Sequence, residues 1–431
     1  MRRVRELLNA VISAIPRPVL YPLVVVAIAY TAYTLIQNGR FEYAYYRAGL
    51  ALDREAFDEA GDYLAECLRL SPDSGRARFR AAQAARRSDQ PEFAEEQLAY
   101  CDELAWPVEA VEMERRMLEF QRGEGSPGCE QLIRMCLSPL NPDRELAFEA
   151  LSKGYARTYQ LYQALETLNA WLEVRPKSLG ARMRRAWVLE RLDRHADAAA
   201  DYRSVLADFP ADSQAKLRLA QVLRQQGKTV EAAELFQELK AEAPPSDAID
   251  LGLAQSYRVS GRGDEAKKLL DELSSRTPND HVVWLELGKL DLDEGRDQEA
   301  REKLEKAVRL AAEEYEPNYQ LFLCLQRLGD KEGAAKAEKK FKAIEADLKK
   351  MGELTEALQT KPHDPEIRFQ IAQIFIRRGE IAEGTNWLEA VVRLDPTHRE
   401  SRRQLAEFYE QLGKPDRARL HRQAIPPTPG S

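Results

Sequence analysis

The chain has 431 residues, 44% hydrophobic and 31% charged, with a net charge of −7. This balance excludes a disordered polar chain and the global basicity of a nucleic-acid-binding protein. Five cysteines (Cys67, Cys101, Cys129, Cys136, Cys324) contain no C-x-x-C pair, and all read as small buried apolar residues.

Residues 1–18 form a basic leader, with Arg2, Arg3, Arg5 and Arg17 against the single acid Glu6. Val4, Leu7, Leu8, Val11, Ile12 and Ile15 recur at helical spacing, so an amphipathic helix on a membrane face is predicted. Residues 19–36 carry no charge and as a helix measure roughly 27 Å, enough to cross a hydrocarbon core. A transmembrane helix is predicted there. Tyr30, Tyr33, Phe41, Tyr43, Tyr45 and Tyr46 crowd its far end like an interfacial aromatic belt. The arginine bias places the N-terminus in the cytoplasm and the remainder outside it, in the periplasm of a Gram-negative cell. The rival is a signal peptide cleaved at Ala27-Ile28-Ala29, although the apolar run continues past that site. Gln37, Asn38, Gly39 and Arg40 read as a short joint.

From residue 41 onward one pattern recurs every 34 residues. Alanine stands at 164, 198, 232, 266, 300 and 334; proline at 142, 176, 210, 244 and 278; glycine at 227, 261, 295 and 329. In 217–245, Leu219, Ala220 and Leu223 form a buried stripe, and Gly227 ends the first helix. Ala232, Phe236 and Leu239 face back from a second helix that Pro244 stops. Such a pair buries too little surface alone, so neighbours must stack. About nine units fill 41–348, with 111–144 degenerate because Glu130 replaces the alanine and Gly123, Gly125, Pro127 and Gly128 loosen its turn. Residues 349–364 are an insertion, and one long helix is predicted there over 341–359. Two more units occupy 365–424, and 425–431 form a tail.

Trp284, Leu287, Gly288, Ala300, Leu304 and Ala307 make the best single match to the motif W-x-x-L-G…A-x-x-x-F…A. The chain thus resembles the tetratricopeptide-repeat family, specifically its bacterial membrane-anchored members. The resemblance implies an all-α right-handed superhelical solenoid of about eleven helix pairs, preceded by the transmembrane helix. Anchor, repeats and tail account for the whole length, and His195, His281, His363, His398 and His421 are isolated. Catalysis, a cofactor and a bound metal are therefore not expected.

In this family the first helix of each pair lines the groove. Basic residues recur near the end of that helix: Arg86, Arg87, Arg122, Arg157, Arg191, Arg224 and Arg258, several with glutamine three residues earlier (Gln83, Gln221, Gln255). Together with Trp187 they form a candidate partner-binding ladder suited to acidic or extended peptide segments. The competing account is that cations near a helix C-terminus complement its dipole by roughly 0.3–1 kcal/mol each. The expected function is a scaffold for protein partners at the cell envelope, in assembly or maturation of a membrane complex. The alternatives are a stoichiometric subunit of such a complex, or a regulator of a membrane enzyme with cytoplasmic repeats.

Overall fold

The computed structural model describes residues 17–123, 129–242 and 244–425. Among these the chain is 22 helices with no strand, in two compact units, 1–119 and 120–431. The first unit holds α1 (Arg17–Asp53), α2 (Phe57–Leu70), α3 (Gly75–Arg87), α4 (Pro91–Glu103) and most of α5 (Val108–Gln121). The second continues with α6 (Cys129–Leu137), α7 (Arg144–Arg157), α8 (Leu161–Val174), α9 (Leu179–Arg191), α10 (His195–Asp208), α11 (Ser213–Gln225) and α12 (Thr229–Glu242). Then follow α13 (Asp247–Val259), α14 (Gly263–Arg276), α15 (His281–Asp293), α16 (Asp297–Leu310), α17 (Tyr315–Arg327) and α18 (Lys331–Thr360). The chain closes with α19 (Pro365–Arg377), α20 (Ile381–Leu394), α21 (Arg399–Gln411) and α22 (Pro415–Gln423).

A regular pair shows why the 34-residue pattern folds this way. Asp212 caps α11, its side chain accepting from the Ala215 N–H at 2.7 Å, which satisfies one of the four orphan amides of a helix start. At the other end Gly227 takes φ of 75°, and the Lys228 N–H reaches back to the Leu223 carbonyl at 2.9 Å. Only a residue without Cβ enters that left-handed turn cheaply. Ala232, Phe236 and Leu239 then return buried on α12. Phe236 fills the space above Gly252 of the next pair, where an added Cβ would lie 2.3 Å from the ring.

The N-terminus departs from expectation in two ways. Gln37 to Arg40 are not a break: α1 runs as one 37-residue helix from Arg17 into the first pair, where Phe41, Ala44, Ala48, Ala51 and Leu52 bury against α2 and α3. The predicted crossing of a bilayer at 19–36 also lacks support, because among the described residues no helix is long and apolar enough to cross a membrane. The side chains at 19–21, 23, 24 and 27 lie outside that description, as do residues 1–16 of the leader and 426–431 of the tail.

In the degenerate unit, α6 is only nine residues long, and Gly125, Pro127 and Gly128 fall outside the described residues. The inserted helix is longer than predicted, since α18 spans 30 residues without interruption. Leu354 and Leu358 at its end join Ile371, Ala372, Trp387 and Leu388 in a C-terminal core. Against this core packs Tyr159, from the turn between α7 and α8; its ring lies 5.2 Å from that of Trp387. The second unit thus touches itself across many pairs. Tyr159 occupies the turn position that glycine holds at 227, with φ of 58°, which is strained for a bulky residue.

Cys67, Cys101, Cys136 and Cys324 are buried and unbridged, with Cys129 partly so. Burial pushes the Cys136 thiol up to about 12 and the other three to about 11, which removes thiolate chemistry at neutral pH.

Candidate interaction face of the first helices

The arginines of the predicted ladder stand one to three residues before the turn that ends each first helix, with Arg86, Arg224 and Arg258 in the same register and the others displaced from it, and the structure gives them different tasks. In the first unit Arg86 is 1% exposed, and its Nε donates to Glu114. Arg87 donates to the Leu52 carbonyl at 3.1 Å and lies over the Phe57 ring. Both stitch one pair to another and are not presented to a partner. Gln83 is half-buried beside them.

Farther along, Arg258 on α13 donates from Nε to Glu286 at 2.9 Å and from a terminal nitrogen to Asp293 at 2.8 Å, both on α15. Gln255 donates to the same Glu286 at 3.3 Å, and Lys289 lies 3.3 Å from it. These acids outweigh burial and hold the Arg258 guanidinium above its ordinary value. Beside Asp293 an open cavity of about 470 Å³ is lined by Leu292, Gln320, Leu323, Gln326 and Arg327.

Arg224 on α11 has no such partner. Its Nε is buried without a hydrogen bond, and burial, opposed by Glu286 and aided by the Arg258 charge, holds its guanidinium below the ordinary value. Repeat geometry explains the difference. Arg86 and Arg258 each reach an acid 28 residues ahead, and the residue 28 ahead of Arg224 is Gly252. The packing of Phe236 demands that glycine, so the arginine stays without an acid. Gln221 is half-buried one turn before it. One pair earlier Arg191 is exposed and lies over the Trp187 ring at 5.0 Å, a cation–π contact that leaves its edge available.

The structure therefore brings Trp187, Arg191, Gln221, Arg224, Gln255 and Arg258 onto one run of helices, α9 to α13. Arg157 is exposed at the end of α7, and Arg122 is half-buried after α5. The sequence reading missed Glu114, Glu286 and Asp293, which neutralise part of the ladder. The signal for the two glutamates was available, because an acid 28 residues beyond an arginine marks a pair already closed; Asp293 lies 35 residues beyond Arg258. Among the described residues no group of three or more His, Cys, Asp or Glu could hold a metal ion.

Tetratricopeptide repeat models match residues 160–213, 183–247 and 223–289. No curated protein sequence matches the chain. Among solved structures, a tetratricopeptide repeat protein from Parabacteroides merdae is similar with a TM-score of 0.46 at 18% identity, covering 68% of this chain and 99% of that one. PilW, a type IV pilus biogenesis factor, gives 0.41 at 18% identity, over 46% of this chain and 92% of its own. MamA from Desulfovibrio magneticus gives 0.37 at 18%, over 39% and 95%. Repeats of this kind make a scaffold for protein–protein contact. Residues 160–289 are therefore tetratricopeptide repeats, and helix pairs continue on both sides of them.

Proposed function

We propose that this protein is a membrane-anchored scaffold of the cell envelope that grips partner proteins by acidic or extended segments during assembly or maturation of a membrane complex. Arg224 is the observation that carries the acidic preference. A half-buried guanidinium without an acid of its own, beside an arginine already neutralised, gains most from an incoming carboxylate, because charge-assisted bidentate bonds are the strongest it can form. Arg191 on its tryptophan shelf supplies a second contact one pair away.

Anchoring is supported by α1. Val25, Val26, Ile28, Tyr30, Tyr33, Leu35 and Ile36 are each at least 59% exposed, and so large an uncovered apolar face is stable only against lipid or protein. The arginine-rich leader favours a cytoplasmic N-terminus with the repeats outside.

Two measurements test this. A reporter fused to the C-terminus of the full chain reads out topology, and activity only of a cytoplasmic reporter would reverse the orientation. For the groove, Arg191→Glu and Arg224→Glu are combined in the full-length protein and partners are captured by crosslinking in intact membranes. Partner recovery should collapse; recovery equal to wild type refutes the acidic-segment reading.

A further inference from the structure

The turns that lead from one pair to the next follow a common plan. Ser74, Ser178, Asp212, Asp280 and Asp364 each stand just before a first helix and accept from one of its free N–H groups. A proline precedes each cap by two residues: Pro72, Pro176, Pro210, Pro278 and Pro362. The turn between α4 and α5 breaks this plan completely. It reads Leu104-Ala105-Trp106-Pro107, followed by Val108, without one charged side chain or side-chain oxygen. Pro107 stands in the capping position and has no side-chain oxygen to offer.

Its backbone differs as well. The Trp106 N–H reaches back to the Cys101 carbonyl at 3.0 Å, and Ala105 takes φ of 51°. Alanine in that region is strained, and glycine would relieve it. The turn therefore forgoes both a cap and a relaxed backbone, and gains an exposed apolar surface: Val108 is 60% exposed and Leu104 36%. Trp106 is half-buried, with one face on Phe79 at 6.0 Å between centroids.

The position of this turn identifies what it meets. A Cβ on Gly75 would lie 2.8 Å from the Trp106 ring. Gly75 follows Ser74, which together with Leu70, Ser71 and Arg76 lines a small cavity shared with Gln37, Asn38, Phe41 and Glu42 of α1. Gln37 comes directly after Ile36, where the apolar run ends. One edge of the first unit thus joins the end of the apolar run, the 71–75 turn and the 104–108 turn. Because α1 is unbroken, that edge is held at the height where a lipid-seated helix would leave the hydrocarbon.

We infer that the Leu104–Val108 turn is a second membrane contact, seating Trp106 in the headgroup region of the bilayer that α1 enters. This rests on the anchoring proposed above. Tryptophan is enriched at that depth because its apolar ring and N–H suit the two sides of the interface. Leucine, proline and valine around it add apolar area that lipid covers.

The test uses the full-length chain reconstituted in phosphatidylcholine–phosphatidylglycerol vesicles whose acyl chains carry bromine near the headgroup. Flotation first reports whether the chain is lipid-bound. Brominated lipid should then quench part of the tryptophan emission, and Trp106→Phe should abolish that part. As Trp106 also packs on Phe79, the pair Leu104→Asp and Val108→Asp provides a variant that keeps the indole in place. It should protect Trp106 from quenching while helical circular dichroism stays unchanged. A chain that floats yet shows the same quenching in all variants overturns this inference and leaves anchoring intact. A chain that does not float removes both.

Discussion

The contact between Tyr159 and Trp387 makes a prediction whose sign is set by two opposed effects. Substituting Tyr159→Gly relieves a left-handed backbone, worth about 1 kcal/mol. It also removes an aromatic pair worth about 1 kcal/mol and the burial of a half-covered ring worth about 1.5 kcal/mol. The loss exceeds the gain, so the variant should be less stable by about 1 to 2 kcal/mol. Asp193 provides the internal control. It lies 34 residues on, at the same turn position, with φ of 55°, but is exposed and touches no distant ring. Asp193→Gly should therefore stabilise its unit by about 0.5 kcal/mol, the smaller figure reflecting the tolerance of aspartate for this region. Repeat arrays do not unfold as one transition, so the assay is native-state hydrogen exchange resolved by segment. In Tyr159→Gly the amides of α20, far away in sequence, should lose about tenfold protection, the equivalent of about 1.4 kcal/mol. If Tyr159→Gly leaves α20 unchanged and behaves like Asp193→Gly, the self-contact of the second unit does not exist in solution.

Three further outcomes follow from the same geometry. Glu286→Ala strips Arg258 and Gln255 of their acceptor and should cost about 2 to 3 kcal/mol, at the low end for a buried pair because Asp293 remains; chemical denaturation monitored by exchange in α13 and α15 measures it. Gly252→Ala forces a methyl into the Phe236 ring and should cost about 1 to 3 kcal/mol by overpacking, visible as a lowered first thermal transition. Burial would raise the Glu389 carboxyl, but hydrogen bonds from His421 and Tyr409 outweigh it and hold the group below the usual range. Its stabilising contribution is accordingly complete above the ordinary glutamate value and lost as pH falls through the depressed one. Acid melts of Glu389→Gln should lose that part of the low-pH slope in α20 to α22.

Much of the helical plan was readable from local chemistry. Gly227, Ala232 and Pro244 each perform a task that residue type alone specifies, so their recurrence announced paired helices without reference to anything distant. The continuity of α1 was not readable in this way. Gln37-Asn38-Gly39 carries the composition of a break, yet Gly39 is flanked by long helical stretches and the packed Phe41, and a propensity penalty of about 1 kcal/mol does not interrupt a helix so supported. The ladder was half legible. The arginines were visible because they recur, whereas their neutralisation lies in acids one pair ahead and had to be counted across units. Tyr159 and Trp387 gave no signal, since a contact spanning so many pairs leaves no periodic trace in the chain.

The unbroken course of α1 gives the joint a rotational phase. Each residue added between Ile36 and Phe41 would turn the first pair by about 100° and shift it about 1.5 Å along the axis, so lengthening cannot be separated from turning. A single insertion would aim a different side of the first unit at whatever holds residues 25–36, while seven residues would nearly restore the original heading about 10 Å farther out. The protein thus carries a built-in compass, and a graded insertion series would read its bearing independently of reach.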